Sequence, residues 1–157
     1  MSGTDRKQKI LIVDDVPVNL KILRAILQND YEVSLTTGSM FALELAQSNR
    51  PDLILLDVMM PDMDGYEMCE YLKSDPQTCD IPVIFITARS GEEDEARGFA
   101  LGAVDYISKP FRPAIVYARV KTHLSIQAMQ RRLARQNAAL LEADQLKRRW
   151  TGSPVMT

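Results

Sequence analysis

Short apolar runs alternate with helix-period stretches over the first two thirds of the chain, the pattern of repeated βα units around a parallel sheet. Five runs predict strands, at 9–13, 33–36, 53–56, 83–86 and 105–108. The first, third and fourth are almost uniformly apolar, as strands covered by helices on both faces should be. Between them the spacing predicts helices over 19–29, with Leu20, Leu23 and Leu27 on one stripe, over 40–47, over 66–74, with Met68 and Leu72, and over 92–101. Pro51, Pro76, Pro82 and Pro110 punctuate the boundaries. A (βα)5 chain of this length predicts an α/β fold, an open, doubly wound, five-stranded parallel sheet whose ligands gather at the carboxyl ends of its strands.

After Pro113 the pattern changes. Residues 114–150 contain neither Gly nor Pro and are rich in Ala, Leu, Gln and Arg, so they predict one long helix. Val116, Val120 and Leu124 are expected to pack its first turns on the sheet. Beyond them Ile126, Leu133 and Leu140 recur every seven residues, interleaved with Met129, Gln136 and Ala143 at the same period. That is a candidate coiled-coil seam with one polar position. Residues 151–157, with Gly152 and Pro154, carry no pattern and are expected to form a flexible tail. The organisation is therefore a domain over 1–124, a helical extension over 125–150 and a tail.

Composition narrows the class. The chain has 157 residues, 46% hydrophobic and 25% charged, which excludes a disordered tail or a fibre. No apolar run approaches the roughly 18 residues of a membrane span, and the polar start 1–9 lacks the apolar stretch of a secretory signal, so a cytoplasmic location without membrane contact is expected. Cys69, Cys79 and the lone His123 cannot build a disulfide framework or a Cys/His zinc site; two reduced thiols and an ordinary helical histidine are expected. Residues 1–111 carry 10 Lys/Arg against 19 Asp/Glu, and residues 112–157 carry 9 against 2. The basic tail, with Arg131, Arg132, Arg135, Lys147, Arg148 and Arg149, reads as a solvated helix face rather than a nucleic-acid or membrane contact. Its length is too small for a winged-helix domain and it shows no helix-turn-helix break, so direct DNA binding is not expected.

The chemistry lies at strand ends. Asp14 and Asp15 close the first strand and Asp57 the third, neighbouring positions in a sheet of this winding. Converging carboxylates repel one another, which raises at least one pKa unless a cation is present. A hard divalent ion such as Mg2+, held by one or two carboxylates, water and a phosphoryl group, resolves the conflict. Taken singly, each acid is better explained as a turn former or helix cap, an explanation that weakens when the acids are taken together. Thr87 ends the fourth strand with a hydroxyl and Lys109 follows the fifth with an ammonium, so an anionic group at this edge would be clamped from two sides. A carboxylate nucleophile, a metal, a hydroxyl and a lysine suffice for phosphoryl transfer, which needs mainly positioning and charge neutralisation.

Val13-Asp14-Asp15, Leu55-Leu56-Asp57-Val58-Met59-Met60-Pro61 with Asp64-Gly65, Ile86-Thr87-Ala88 and Asp105-Tyr106-Ile107-Ser108-Lys109-Pro110-Phe111 together resemble the receiver domain of two-component response regulators. The resemblance covers roughly residues 8–124 and implies a flavodoxin-like fold. It also implies that Asp57 accepts a phosphoryl group from a phosphohistidine on a sensor histidine kinase or phosphotransfer protein. Asp15 and Asp57, with the backbone carbonyl of Met59, would hold Mg2+, and Asp14 would assist through water. Thr87 and Lys109 would contact the phosphoryl oxygens, and Tyr106 would be the switch aromatic that swings inward as Thr87 is drawn to the phosphate. Val16, Pro17, Val18 and Asn19 would help choose the kinase, and Met59 and Arg89 would tune the lifetime of the acyl phosphate.

Two other classes remain in view. Haloacid-dehalogenase-like phosphatases also use an Asp nucleophile with Mg2+, but they carry an acid two residues later, where this chain has Met59. A flavin or nucleotide site would need a glycine-rich amide cradle where the first strand instead runs into Asp14-Asp15. The long helix is expected to pair two copies of the chain, either permanently or under control of Asp57, and Trp150 to cap that seam or simply report on it. The whole also reads as a receiver excised from a longer protein with an enzymatic output domain.

Overall fold

A computed structural model describes residues 6–88 and 92–155, with only the backbone described at 92, 93 and 150–155. Strands β1 (Lys9–Val13), β2 (Glu32–Thr36), β3 (Leu53–Asp57), β4 (Val83–Thr87) and β5 (Asp105–Ser108) alternate with helices α1 (Pro17–Leu27), α2 (Ser39–Asn49), α3 (Gly65–Ser74), α4 (Glu92–Ala100) and α5 (Pro113–Val155). All five strands run parallel in the order β2-β1-β3-β4-β5. The chain thus winds outward from β1 in both directions, and Val13 lies beside Leu56 where the winding reverses. This is the expected doubly wound, flavodoxin-like sheet, and its reversal point lies at the Asp-rich strand ends.

The apolar runs sort by parity. Leu11, Val13, Ile54, Leu56, Val83 and Phe85 face one layer with Ala42, Ala46, Met68 and Leu72, while Ile10, Ile12, Leu53, Leu55, Ile84 and Ile86 face the other with Leu20, Leu23, Leu27, Val116, Val120 and Leu124. Side chains alternate across a strand, so only a strand apolar at every position supplies both layers. Burying each large aliphatic contributes about 2 kcal/mol, and this double core holds the strand ends in place.

Helix boundaries shift from the sequence reading for local reasons. Helix α1 starts at Pro17 rather than 19, because proline's missing N–H and fixed φ suit the first helical turn. Helix α3 starts at Gly65, capped by Asp64, whose carboxylate accepts the Glu67 N–H at 2.8 Å. Helix α5 continues to Val155, through Gly152 and Pro154, beyond the expected end at Trp150. The chain divides at Leu124 into two compact units. The Trp150 side chain lies outside the described residues, as do Arg89 and residues 156–157. Among the described residues no helix is long and apolar enough to cross a membrane. Both cysteines are free, Cys69 buried and Cys79 partly so.

Candidate functional site

Asp14, Asp15 and Asp57 converge as expected: one carboxylate oxygen from each lies within 4.8 Å of the others. Asp57 is the last residue of β3, and Asp14 and Asp15 follow β1 directly, so the parallel pairing of β1 with β3 makes the cluster. Asp14 is completely buried and Asp57 is 1% exposed. Burial, and then the charge of Asp14, push the Asp57 carboxyl up to about 6, against the lowering effects of the Met59 N–H and Lys109. The Met59 N–H donates to Asp57 Oδ1 at 3.2 Å. Asp14 is oriented in turn by two donors, the Val16 N–H at 2.9 Å and Asn19 Nδ2 at 3.2 Å. The resemblance assigns Asn19 to the choice of kinase, and its contact with Asp14 is new; its place five residues after Asp14, in the first turn of α1, is the signal in the sequence.

Lys109 reaches this edge from the end of β5. Its Nζ lies 3.5 Å from Asp57 Oδ2 and 3.7 Å from Asp14 Oδ2, so one ammonium sits between two buried carboxylates. Its N–H donates to the Thr87 carbonyl at 3.0 Å, tying the β4 and β5 ends together, and the Lys109–Pro110 peptide is cis. Thr87 is buried at the β4 terminus beside Ser108. Three carboxylates and one ammonium leave excess negative charge among hard oxygen donors. That donor set fits a small divalent cation, and Lys109 gives an incoming anion a cationic partner.

Tyr106 is inward and 6% exposed. Its hydroxyl donates to the α4 carbonyls of Asp94 at 2.6 Å and Glu95 at 2.8 Å. Burial, and then Tyr66, push its phenol up to about 12, so it stays a neutral donor. Sequence reasoning missed the residue that admits it. A Cβ on Gly98 would collide with the Tyr106 hydroxyl and lie 2.9 Å from Phe85 Cδ2. A helical glycine costs up to about 1 kcal/mol against alanine, so Gly98 in the last turn of α4 is a readable sign of either a helix end or a close neighbour. Tyr66, from α3, points its hydroxyl at the same Asp94 carbonyl, at 3.4 Å, and carries the Arg97 guanidinium 4.2 Å above its ring. Arg119 of α5 donates to the Tyr106 carbonyl.

Two residues do more than their local sequence shows. Gly65 is the first residue of α3, and a Cβ there would strike the Asp57 carbonyl and come within 2.9 Å of Val58 Cα. It lets α3 abut the strand end that carries Asp57. His123 is more than a helical residue, because its Nε2 lies 2.9 Å from Asp105 Oδ2 at the start of β5. Partners eighteen residues apart on different elements carry no local sequence signature.

Residues 10–121 match the response regulator receiver domain family, and the chain belongs to it. Among solved structures, a putative response regulator from Chloroflexus aurantiacus is 34% identical with a TM-score of 0.73, covering 76% of this chain and 99% of its own. The chain is 45% identical over 115 residues to response regulator PleD of Caulobacter vibrioides, covering 73% of this chain and 25% of PleD. It is also 42% identical over 149 residues to a probable cyclic di-GMP phosphodiesterase of Vibrio cholerae, covering 94% of this chain and 34% of that protein. The latter similarity continues past Leu124 into the helix. The chain spans about a third or less of the length of these two relatives.

Proposed function

We propose that this chain is a Mg2+-dependent phosphoacceptor that takes a phosphoryl group on Asp57 from a phosphohistidine of a sensor histidine kinase or phosphotransfer protein in the cytoplasm. The observation that carries the reading is Asp57 itself, buried at a strand end between Asp14, Asp15 and Lys109. Asp15, Asp57 and the Met59 backbone carbonyl would hold the ion, with Asp14 assisting through water. Mg2+ bound there would neutralise carboxylate and phosphoryl oxygens.

An Asp57 carboxylate oxygen attacks phosphorus, the P–N bond to the donor breaks, and its electron pair returns to the imidazole, which takes up a proton. Lys109 moves its charge from the two carboxylates toward the transferred phosphoryl oxygens, and Thr87 supplies a hydroxyl donor. Neither contact exists without phosphate, so phosphorylation favours the arrangement in which both form. Tyr106, held on Asp94 and Glu95, ties that arrangement to the position of α4. Changes at the face of α4, β5 and the first turns of α5 then control pairing through the long helix or the docking of a downstream partner. Such a chain catalyses only its own phosphorylation and dephosphorylation. The phosphatase alternative gains no support at Met59, whose half-exposed side chain has no proton to give a leaving group.

The test is uptake of one phosphoryl group from a small acyl phosphate, followed by intact mass with and without Mg2+. Uptake that needs Mg2+ and falls at least about 100-fold in Asp57→Asn is expected. Equal uptake by the variant would overturn the assignment of Asp57.

A further inference from the structure

We propose that residues 126–143 pair with the same residues of a second copy in parallel and in register, with Gln136 fixing the orientation. This rests on the dimer reading above and adds its geometry. Ile126 (44% exposed), Met129 (63%), Leu133 (56%) and Leu140 (68%) stand open to solvent along one helix. Spacings of three and four residues put them on one stripe, and the seven-residue recurrence suits a partner helix rather than a flat surface. Lys147 takes the next position and ends the apolar series. An apolar face of this kind, unburied along four turns, is the usual mark of an association surface.

The polar position selects among partners. In a parallel, in-register pair every residue of the stripe meets its own copy: Leu133 meets Leu133, and Gln136 meets Gln136. Two facing carboxamides satisfy each other, since each offers both an N–H donor and a carbonyl acceptor. An antiparallel pair instead sets the 126/133/140 series against the 129/136/143 series. In the register that aligns all six positions, Gln136 then faces Leu133, and its buried amide loses its hydrogen bonds. A wholly apolar partner helix incurs the same loss. The sequence of the stripe therefore favours a second copy of this chain, running the same way. Parallel pairing brings the two carboxyl ends together, so anything joined there is presented as a pair.

The experiment uses the full chain in a Cys69→Ala, Cys79→Ser background, with single cysteines oxidised under mild conditions. Met129→Cys and Leu140→Cys are each expected to form disulfide dimers at least about five-fold faster than Arg131→Cys, which points off the stripe. A mixture of Met129→Cys with Leu140→Cys is expected to give no cross-species disulfide above that control. Preferential cross-species linkage would mean antiparallel pairing and overturn the proposal while leaving the dimer reading intact. Light scattering on the uncross-linked chain, with and without acyl phosphate, separates the two: a monomer throughout overturns both. Gln136→Leu, which keeps the helix and removes the selecting amide, is expected to retain the dimer and let the cross-species product appear. Its continued absence would deny Gln136 the orienting role.

Discussion

The Asp57 pocket and the helix beyond Leu124 solve opposite problems. In the pocket, three acids that repel one another are held together by a finished structure. Strand pairing delivers Asp57 to Asp14, the Val16 N–H and Asn19 orient Asp14, Lys109 bridges both, and Gly65 lets α3 close against the Asp57 carbonyl. In the extension, leucines that attract one another are left exposed, and the side-chain ion pair between Arg148 and Asp144 adds only an exposed one-turn contact. Electrostatic strain can be stored only where packing over-determines it, and a contiguous apolar stripe left open is the usual mark of an association surface. The first unit covers its apolar residues with its own layers, whereas the second leaves Ile126, Met129, Leu133 and Leu140 in solvent.

The largest effect that would test the contrast is at Lys109. Replacing it by Met leaves Asp14 and Asp57 without their cation, and the rate of phosphoryl uptake from an acyl phosphate is expected to fall by about 300-fold. An unchanged rate would mean the ammonium is a bystander. Next is Gly65→Ala, which sets a methyl against the Asp57 backbone rather than a flexible side chain. A loss of about 3 kcal/mol is expected by urea unfolding. A loss below about 1 kcal/mol would show that α3 can back away freely.

A smaller effect follows from the raised Asp57 carboxyl. The folded state holds this proton more tightly than the unfolded chain, whose carboxylate titrates near 3.8. That contribution is therefore fully present below about 3.8 and is lost as pH rises through about 6. In chelator, about 2 kcal/mol of stability is expected to disappear between those values relative to Asp57→Asn, measured by unfolding across pH. Added Mg2+ is expected to restore part of it at pH 7 by binding the ionised pocket. Parallel pH profiles for the two proteins would remove the strain from the account. The smallest effect belongs to the extension: Leu133→Ser in dilute, monomeric protein is expected to change the stability of the first unit by less than about 0.5 kcal/mol. A larger loss would show that the stripe is not open in the single chain.

Much of the fold was legible because it rests on periodicity. Runs such as 53–56 and 83–86, apolar at every position, announced strands buried on both faces, and the order of turns and helices implied the winding. The Asp14, Asp15 and Asp57 cluster was legible for the same reason, since strand ends are readable and a doubly wound sheet places the first and third side by side. Gly98 and Gly65 were less accessible. A glycine shows in a sequence, but what it makes room for is a neighbour from another element, Tyr106 in one case and the Asp57 backbone in the other.

By itself, then, the sequence determined the order of elements, the faces they bury and the chemistry gathered at one sheet edge, because local propensity and side-chain alternation are written residue by residue. Only the tertiary structure decided how that chemistry is tuned. The burial that raises the Asp57 carboxyl, the ammonium shared between Asp14 and Asp57, the α4 notch that seats Tyr106 and the pairing of His123 with Asp105 all join residues distant in the chain. Their energies depend on distance and on exclusion of water, and both exist only once the layers have closed.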